Sequence, residues 1–323
     1  MLLEKPSGCF TMLAVLLISG VVFVNGFTDA PNSVSGVVSS GIWKRGRACL
    51  ISGIFNMLGV VVFSLIGAKV ANGVADLSDF DEHLTQALCA SLIGVIIFGV
   101  IAWAFAMPSS ESHALVSCIF GASLASSRDV SIIPFLLIIA YMVFSCVFSI
   151  GLAVLLSQKL KKSEGECVKY EKNLCILSSV AHGAQDGQKL VALYALLLPA
   201  GALLKPSATF FIALTVGSVM MAGTIMGSGK IIESLGNGIV ENSPKIAFLS
   251  DFSSTVCVFI CSFLGFSVST GNIKACSLIG AGLGCGKKIN YATVKKIMAS
   301  SVITFPVCIA LGFLLTKFFM GIT

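Results

Sequence analysis

The sequence predicts an all-α polytopic membrane protein made of two inverted-topology repeats with broken helices and helical hairpins. Three observations predict it. Of the 323 residues 56% are hydrophobic and 11% charged, and the mean hydropathy is +0.98. A water-facing surface needs roughly a quarter charged residues, so most of this exterior must face lipid, and a soluble catalytic domain is excluded for lack of space. Apolar segments recur along the whole chain with short polar connections between them. Two unrelated motifs of the first half reappear in the second at almost one offset.

The apolar segments fall near 8–27, 48–68, 86–107, 113–126, 130–157, 174–204, 207–227, 247–266, 273–286 and 297–320. A bilayer-spanning helix needs about 20 residues, so the segments at 113–126 and 273–286 are short for full spans. Each is expected to pair with the helix before it as a hairpin that returns to the side it left. The first run, Cys9 to Phe27, has no small-residue cleavage pattern and reads as a membrane helix rather than a secretory signal. The longest polar connection, 158–172 (QKLKKSEGECVKYEK), reads as a solvated linker, which divides the chain into a repeat over 1–157, a cytoplasmic linker over 158–172 and a repeat over 173–323.

With the amino terminus outside, the connections at 44–47, 158–172, 229–245 and 287–296 lie inside and carry 14 basic residues. Only Lys5, Lys69, Arg128, Lys205 and Lys317 lie outside, with the acidic loop Asp76, Asp79, Asp81 and Glu82. Basic residues accumulate in cytoplasmic loops, so this orientation is preferred, and it sets each loop of one half on the face opposite its counterpart. The expected location is the plasma (inner) membrane, multi-pass, with the central loop cytoplasmic. Twelve cysteines form no CxxC pair and mostly lie within apolar runs, where they serve as small buried hydrophobes.

The repeated motifs carry the chemistry. Asn25 to Gly36 (NGFTDAPNSVSG) has its counterpart in Ala181 to Lys189 (AHGAQDGQK), with Asp29 and Asp186 separated by 157 positions. Pro108 to His113 (PSSESH) matches Ser267 to Asn272 (SVSTGN) at an offset of 159. Glycine and proline around Asp29 should interrupt the helix, and the glycines around Asp186 should do the same in the second half. An interruption at membrane depth is tolerated only where the freed backbone groups line a cavity or bind an ion. Carboxylate, amide and carbonyl oxygens suit a small hard cation such as sodium, and free helix N-termini suit an oxyanion. Hydroxyls at the start of the two short helices make a neutral anion cradle, although Ser and Thr are also ordinary capping residues. Asp29, Glu111, His113, Asp186, Lys189, Asp251 and Lys274 are ionisable residues within or at the edge of apolar segments, where a lipid-facing charge costs a few kcal/mol or more, so they must face inward.

These motifs together resemble the PiT family of inorganic phosphate transporters over essentially the whole chain. That family carries a duplicated G-A-N-D-x-x-N signature, each copy followed by P-x-S-x-(S/T)-H. Here Gly26-Phe-Thr-Asp29-Ala-Pro-Asn32 and Gly183-Ala-Gln-Asp186-Gly-Gln188-Lys189 are similar to the first, and Pro108 to His113 and Val268-Ser-Thr270 to the second. Gly227-Ser-Gly-Lys230 with Ile231 to Gly236 resembles the stretch before the second hairpin. The resemblance implies a secondary transporter that alternates access to a midplane site, coupled to sodium or protons, with no cofactor beyond a sodium ion. Homodimers in a lipid bilayer would be expected, with no nucleic-acid partner. It assigns Asn32, Ser109, Ser110, Ser112, Gln188, Ser269 and Thr270 to substrate binding. Asp29, Asp186 and Asp251, with Thr28 and Gln185, are assigned to cation binding or coupling.

The chain departs from the pattern at Thr28 and Gln185, which replace the Asn before each Asp, at Glu111, and at Gly271-Asn272. Glu111 and Lys274 are expected to form a charge pair across facing hairpins, with the Lys274 ammonium in space that a coupling cation fills in relatives; the alternative is a lysine that snorkels to the cytoplasmic edge. Sulfate is the alternative substrate. An intramembrane enzyme using Ser112, Glu111 and His113 and a passive anion channel are remoter readings. No nucleotide-binding loop is present, and the glycines of GAGLGCG (280–286) read as close helix packing rather than a dinucleotide fingerprint.

Overall fold

The computed structural model describes residues 8–67, 70, 84–105, 110–126, 130–160, 164–198, 205–227, 229–236 and 238–322. The first half runs α1 (Gly8–Thr28), a 3-10 turn (Ala30–Ser33), α2 (Ser35–Ser39), α3 (Arg45–Ile66), α4 (Leu84–Ala104), α5 (Glu111–Ser126) and α6 (Ile133–Lys159). The second runs α7 (Glu164–His182), a π turn (Gly183–Gly187), α8 (Gln188–Leu196), α9 (Pro206–Met226), α10 (Gly229–Gly236), α11 (Pro244–Leu264), α12 (Thr270–Gly284) and α13 (Tyr291–Ile322). Seven of these helices are long and apolar enough to cross a membrane. The short α5 and α12 and the charged α7 are not among them. Side chains such as Met12, Ile66, Val147, Phe211 and Val302 are at least 65% exposed, as helices surrounded by lipid require.

Local chemistry sets the helix ends. Ser243 caps α11 by accepting from the Ile246 N–H at 3.4 Å, and Pro244 follows at the first helical position, where a missing N–H costs nothing. The same helix stops at Gly265, whose φ of 83° is left-handed, with Phe266 N–H reaching back to Cys261 O at 2.8 Å. The segment expected to be a solvated linker is helical from Glu164 onward, and one of its faces is buried at Cys167 and Glu171. Glu164, Glu166, Lys169 and Lys172 occupy the outer face of that helix, and Glu171 the buried one.

The contacts exchange partners between the halves. α5 packs on α13 and α12 on α6; α1 packs on α9 and α7 on α3; α4 pairs with α5 as α11 does with α12. Every pairing has its image if α1, α3, α4, α5 and α6 are exchanged with α7, α9, α11, α12 and α13. The crossings close at glycines. Gly26 and Gly223 face each other's backbones where α1 meets α9, and Gly183 and Gly59 do so where the π turn meets α3, so a side chain at any of these four would run into main chain. Gly280 and Gly284 lie against α6, so part of the glycine-rich run serves helix packing, while Gly286, with a φ of 68°, makes the left-handed turn after α12.

Candidate functional site

The two helix interruptions differ, and one residue explains it. Pro31, which has no N–H to donate, lies two positions after Asp29, and α1 gives way there to a 3-10 turn before restarting at Ser35. At the offset of 157, its counterpart is Gln188, which keeps its N–H. The second half therefore does not break as expected: the chain stays helical and widens into the π turn that carries Asp186.

Asp186 is 1% exposed and its carboxylate is surrounded by both hairpin helices. Lys189 Nζ donates to Oδ1 at 2.7 Å and Thr270 Oγ1 to Oδ2 at 2.9 Å, while Ser112 Oγ lies 3.5 Å from Oδ1. His182 Nε2 is 3.2 Å from Oδ2, and its Nδ1 is 2.9 Å from Asn56 Oδ1. Lys189 Nζ also donates to Ser112 Oγ at 2.7 Å and to the Val268 carbonyl at 2.5 Å. One carboxylate and one ammonium thus join the interrupted helix to the tips of both hairpins.

Asp29 is equally buried but not ion-paired among the described residues; Thr28 Oγ1 lies 3.4 Å from its Oδ1 and donates to Val24 O at 2.9 Å. It lines a cleft with Thr28, Asn32, Glu111, Gly271 and Asn272. Glu111 is 7% exposed and not ion-paired among the described residues, with the Asn25 side chain as a neutral donor beside it. It also borders a smaller pocket with Asn25, Ser112, Asp186 and Lys189, so one side chain looks into the space beside each acidic centre. A third pocket, lined by Asn32, Ser33, Ser254, Thr255, Thr270 and Lys274 among others, adjoins the cleft at Asn32.

Ser110 and Ser269 act as caps, their Oγ atoms accepting from His113 N–H at 3.2 Å and Asn272 N–H at 3.3 Å. Ser109 lies outside the described residues. Gln188 Oε1 accepts from Val70 N–H at 3.2 Å and lines none of the three pockets. Gln185 is a tie to α11, donating to Phe266 O at 2.8 Å and accepting from Ser262 Oγ at 2.6 Å. In this register, the residue equivalent to Asn32 is Lys189 and not Gln188.

The expected Glu111–Lys274 pair does not form. Lys274 leaves α12 on the side facing α11 and is ion-paired there with Asp251, close to Ser250 Oγ at 3.3 Å. At 2% exposure it does not snorkel to an edge either. Nor do Ser112 and His113 form a nucleophile and base: Ser112 is held by Lys189, and the His113 ring packs on Phe305 with centroids 4.7 Å apart.

A model described as the phosphate transporter family matches residues 25–174 and 169–312, nearly the whole chain in two copies. The chain belongs to the phosphate transporter family. Among relatives in it, a probable low-affinity inorganic phosphate transporter of Bacillus subtilis is 26% identical over 317 residues, 94% of this chain and 95% of that protein. A putative phosphate permease of Pyrococcus horikoshii is 24% identical over 388 residues, 94% of this chain and 96% of its own. A solved structure described as the sodium-dependent phosphate transporter superposes with a TM-score of 0.83, covering 98% of this chain and all of that one at 18% identity, which establishes the shared fold. This phosphate transporter family member is an integral, multi-pass membrane protein. Two buried polar residues were not anticipated from the sequence: Asn56, whose hydrogen bond to His182 joins α3 to α7, and Glu171, within the segment expected to be a linker. The 157-residue offset, carried three positions past Asp29, already paired Asn32 with Lys189.

Proposed function

We propose that the chain moves inorganic phosphate across the membrane by alternating access, with the two halves as inverted repeats rocking about the acidic centres, and that a co-transported sodium ion or proton drives it. The observation that carries the reading is the convergence of Ser112 and Thr270, one from each hairpin helix, on Asp186 at the helix interruption. Hydroxyls, amides and carboxylates gathered in a buried pocket between two symmetry-like halves suit a small oxyanion travelling with a cation. The partner exchange of the helix packing supports a two-fold relation between the halves. Coupling is required physically, because a negative interior opposes anion entry by about 2.3 kcal/mol per charge per 100 mV.

Uptake of radiolabelled phosphate into liposomes containing the purified chain tests this. Imposed sodium or proton gradients should drive accumulation, excess sulfate should compete weakly, and Asp29→Asn and Asp186→Asn should each abolish it. Normal uptake by both variants, or sulfate carried in preference to phosphate, would overturn the reading.

A further inference from the structure

Lys189 is the bulkiest of the fully buried side chains among the described residues. An ammonium has three N–H bonds, and Lys189 directs its three at a carboxylate, a hydroxyl and a peptide carbonyl, on Asp186, Ser112 and Val268. No donor remains for an anion, so the side chain is placed as a counter-ion rather than as a ligand for phosphate. A mixed set of charged and neutral oxygens closing on one small centre is also what a hard cation takes.

The first half offers the same surroundings without the charge. At the two offsets of the repeat, Lys189 corresponds to Asn32, Ser112 to Gly271 and Thr270 to Glu111. The correspondence is physical: Lys189 meets Ser112, and a methyl group at Gly271 would meet the Asn32 amide nitrogen. Where Asp186 faces a hydroxyl and an ammonium, Asp29 therefore shares its cleft with a second carboxylate and an uncharged amide. That second carboxylate, on Glu111, is buried beside the neutral Asn25 amide and is not ion-paired among the described residues, so the negative charge accumulated there calls for a cation.

We propose that Lys189 is a tethered cation that fills, in the second half, the place of a mobile coupling ion, and that a monovalent cation enters only in the first half, beside Asp29 and Glu111. The inference rests on the phosphate-transport reading and adds to it which half couples. Sodium and the proton share the single positive charge the first-half site calls for, and separate gradients distinguish them.

The test is phosphate uptake into liposomes by the unmodified protein, Lys189→Asn and Lys189→Arg, with sodium varied at fixed pH and pH varied without sodium. The unmodified protein and Lys189→Arg should respond to one of the two cations with a Hill coefficient of about one, since the coefficient cannot exceed the number of sites. Lys189→Asn should acquire a stimulation by sodium of about tenfold beyond that response. A Hill coefficient of about two for sodium in the unmodified protein overturns the proposal without need of any variant. So does a Lys189→Asn protein that exchanges phosphate but gains no sodium response. If the unmodified protein takes up no phosphate under either gradient, the transport reading itself falls, and this inference with it.

Discussion

The Lys274 ammonium of α12 is ion-paired with Asp251 of α11 in a place no more than 2% exposed, and both carboxylate oxygens of Glu171 on α7 are likewise buried, without hydrogen-bond partners among the described residues. Gly36 of α2 completes the cluster, because a side chain there would strike both Asp251 and Glu171. Removing the ammonium leaves an uncompensated buried charge, which typically costs about 3–5 kcal/mol, whereas removing both members of a pair costs much less. Lys274→Met should therefore lower the thermal unfolding temperature of the detergent-solubilised protein substantially, and adding Asp251→Asn should recover most of the loss. Equal damage by the single and double variants would show that the ion pair is not what stabilises this corner.

Thr270 ties the second hairpin to Asp186 through one hydrogen bond of 2.9 Å. Valine has nearly the same shape and no hydroxyl. A hydrogen bond to a charged group contributes about 1.5–3 kcal/mol, so Thr270→Val should raise the phosphate concentration for half-maximal uptake by roughly tenfold or more while the protein still folds. Uptake kinetics in liposomes and an unchanged gel-filtration profile check the two parts. An unchanged half-saturation value would remove Thr270 from the site.

Gly59 and Gly183 let α3 and the π turn touch backbone to backbone, and the Cβ of an alanine at either would collide with carbonyl groups that cannot move as a side chain can. Overpacking of this kind costs about 1–3 kcal/mol. Gly151 on α6 has nothing near its missing side chain. Gly183→Ala and Gly59→Ala should lower the unfolding temperature and Gly151→Ala should not. The comparison controls for the helix propensity of alanine, since all three replacements are the same.

Much of this architecture is legible in the residues themselves. The apolar stretches anticipate the seven long helices, and the two offsets pair Asp29 with Asp186 and set Ser112 and Thr270 one position out of register at the hairpin tips. What escapes is direction. Nothing in the spacing of α12 says that Lys274 turns toward α11, because a helix residue's facing depends on which neighbour packs against it. Glu171 looked solvated because charged residues surround it in sequence, yet only one face of α7 meets water. The π turn was missed for a subtler reason. Glycine permits an interruption, but a missing backbone donor compels one, and only the first half has Pro31.

Glu111 is the most exposed to test of all these residues, since its buried carboxylate is not ion-paired among the described residues and lies in the cleft that Asp29 also lines. Glutamine keeps the shape and removes the charge. With Asp29 then the only carboxylate among the described residues of that cleft, the need for a co-transported cation to balance a second one disappears, and phosphate movement should become less dependent on the driving gradient. One charge carried through about 60 mV corresponds to about 1.4 kcal/mol, or tenfold in a concentration ratio. Glu111→Gln should accordingly reduce the steady-state inside-to-outside phosphate ratio in energised liposomes by about that factor, and Glu111→Asp, which restores the charge, should recover part of it. Accumulation by the glutamine variant equal to that of the unmodified protein would mean that the cation is held without Glu111, leaving Asp29 to couple alone.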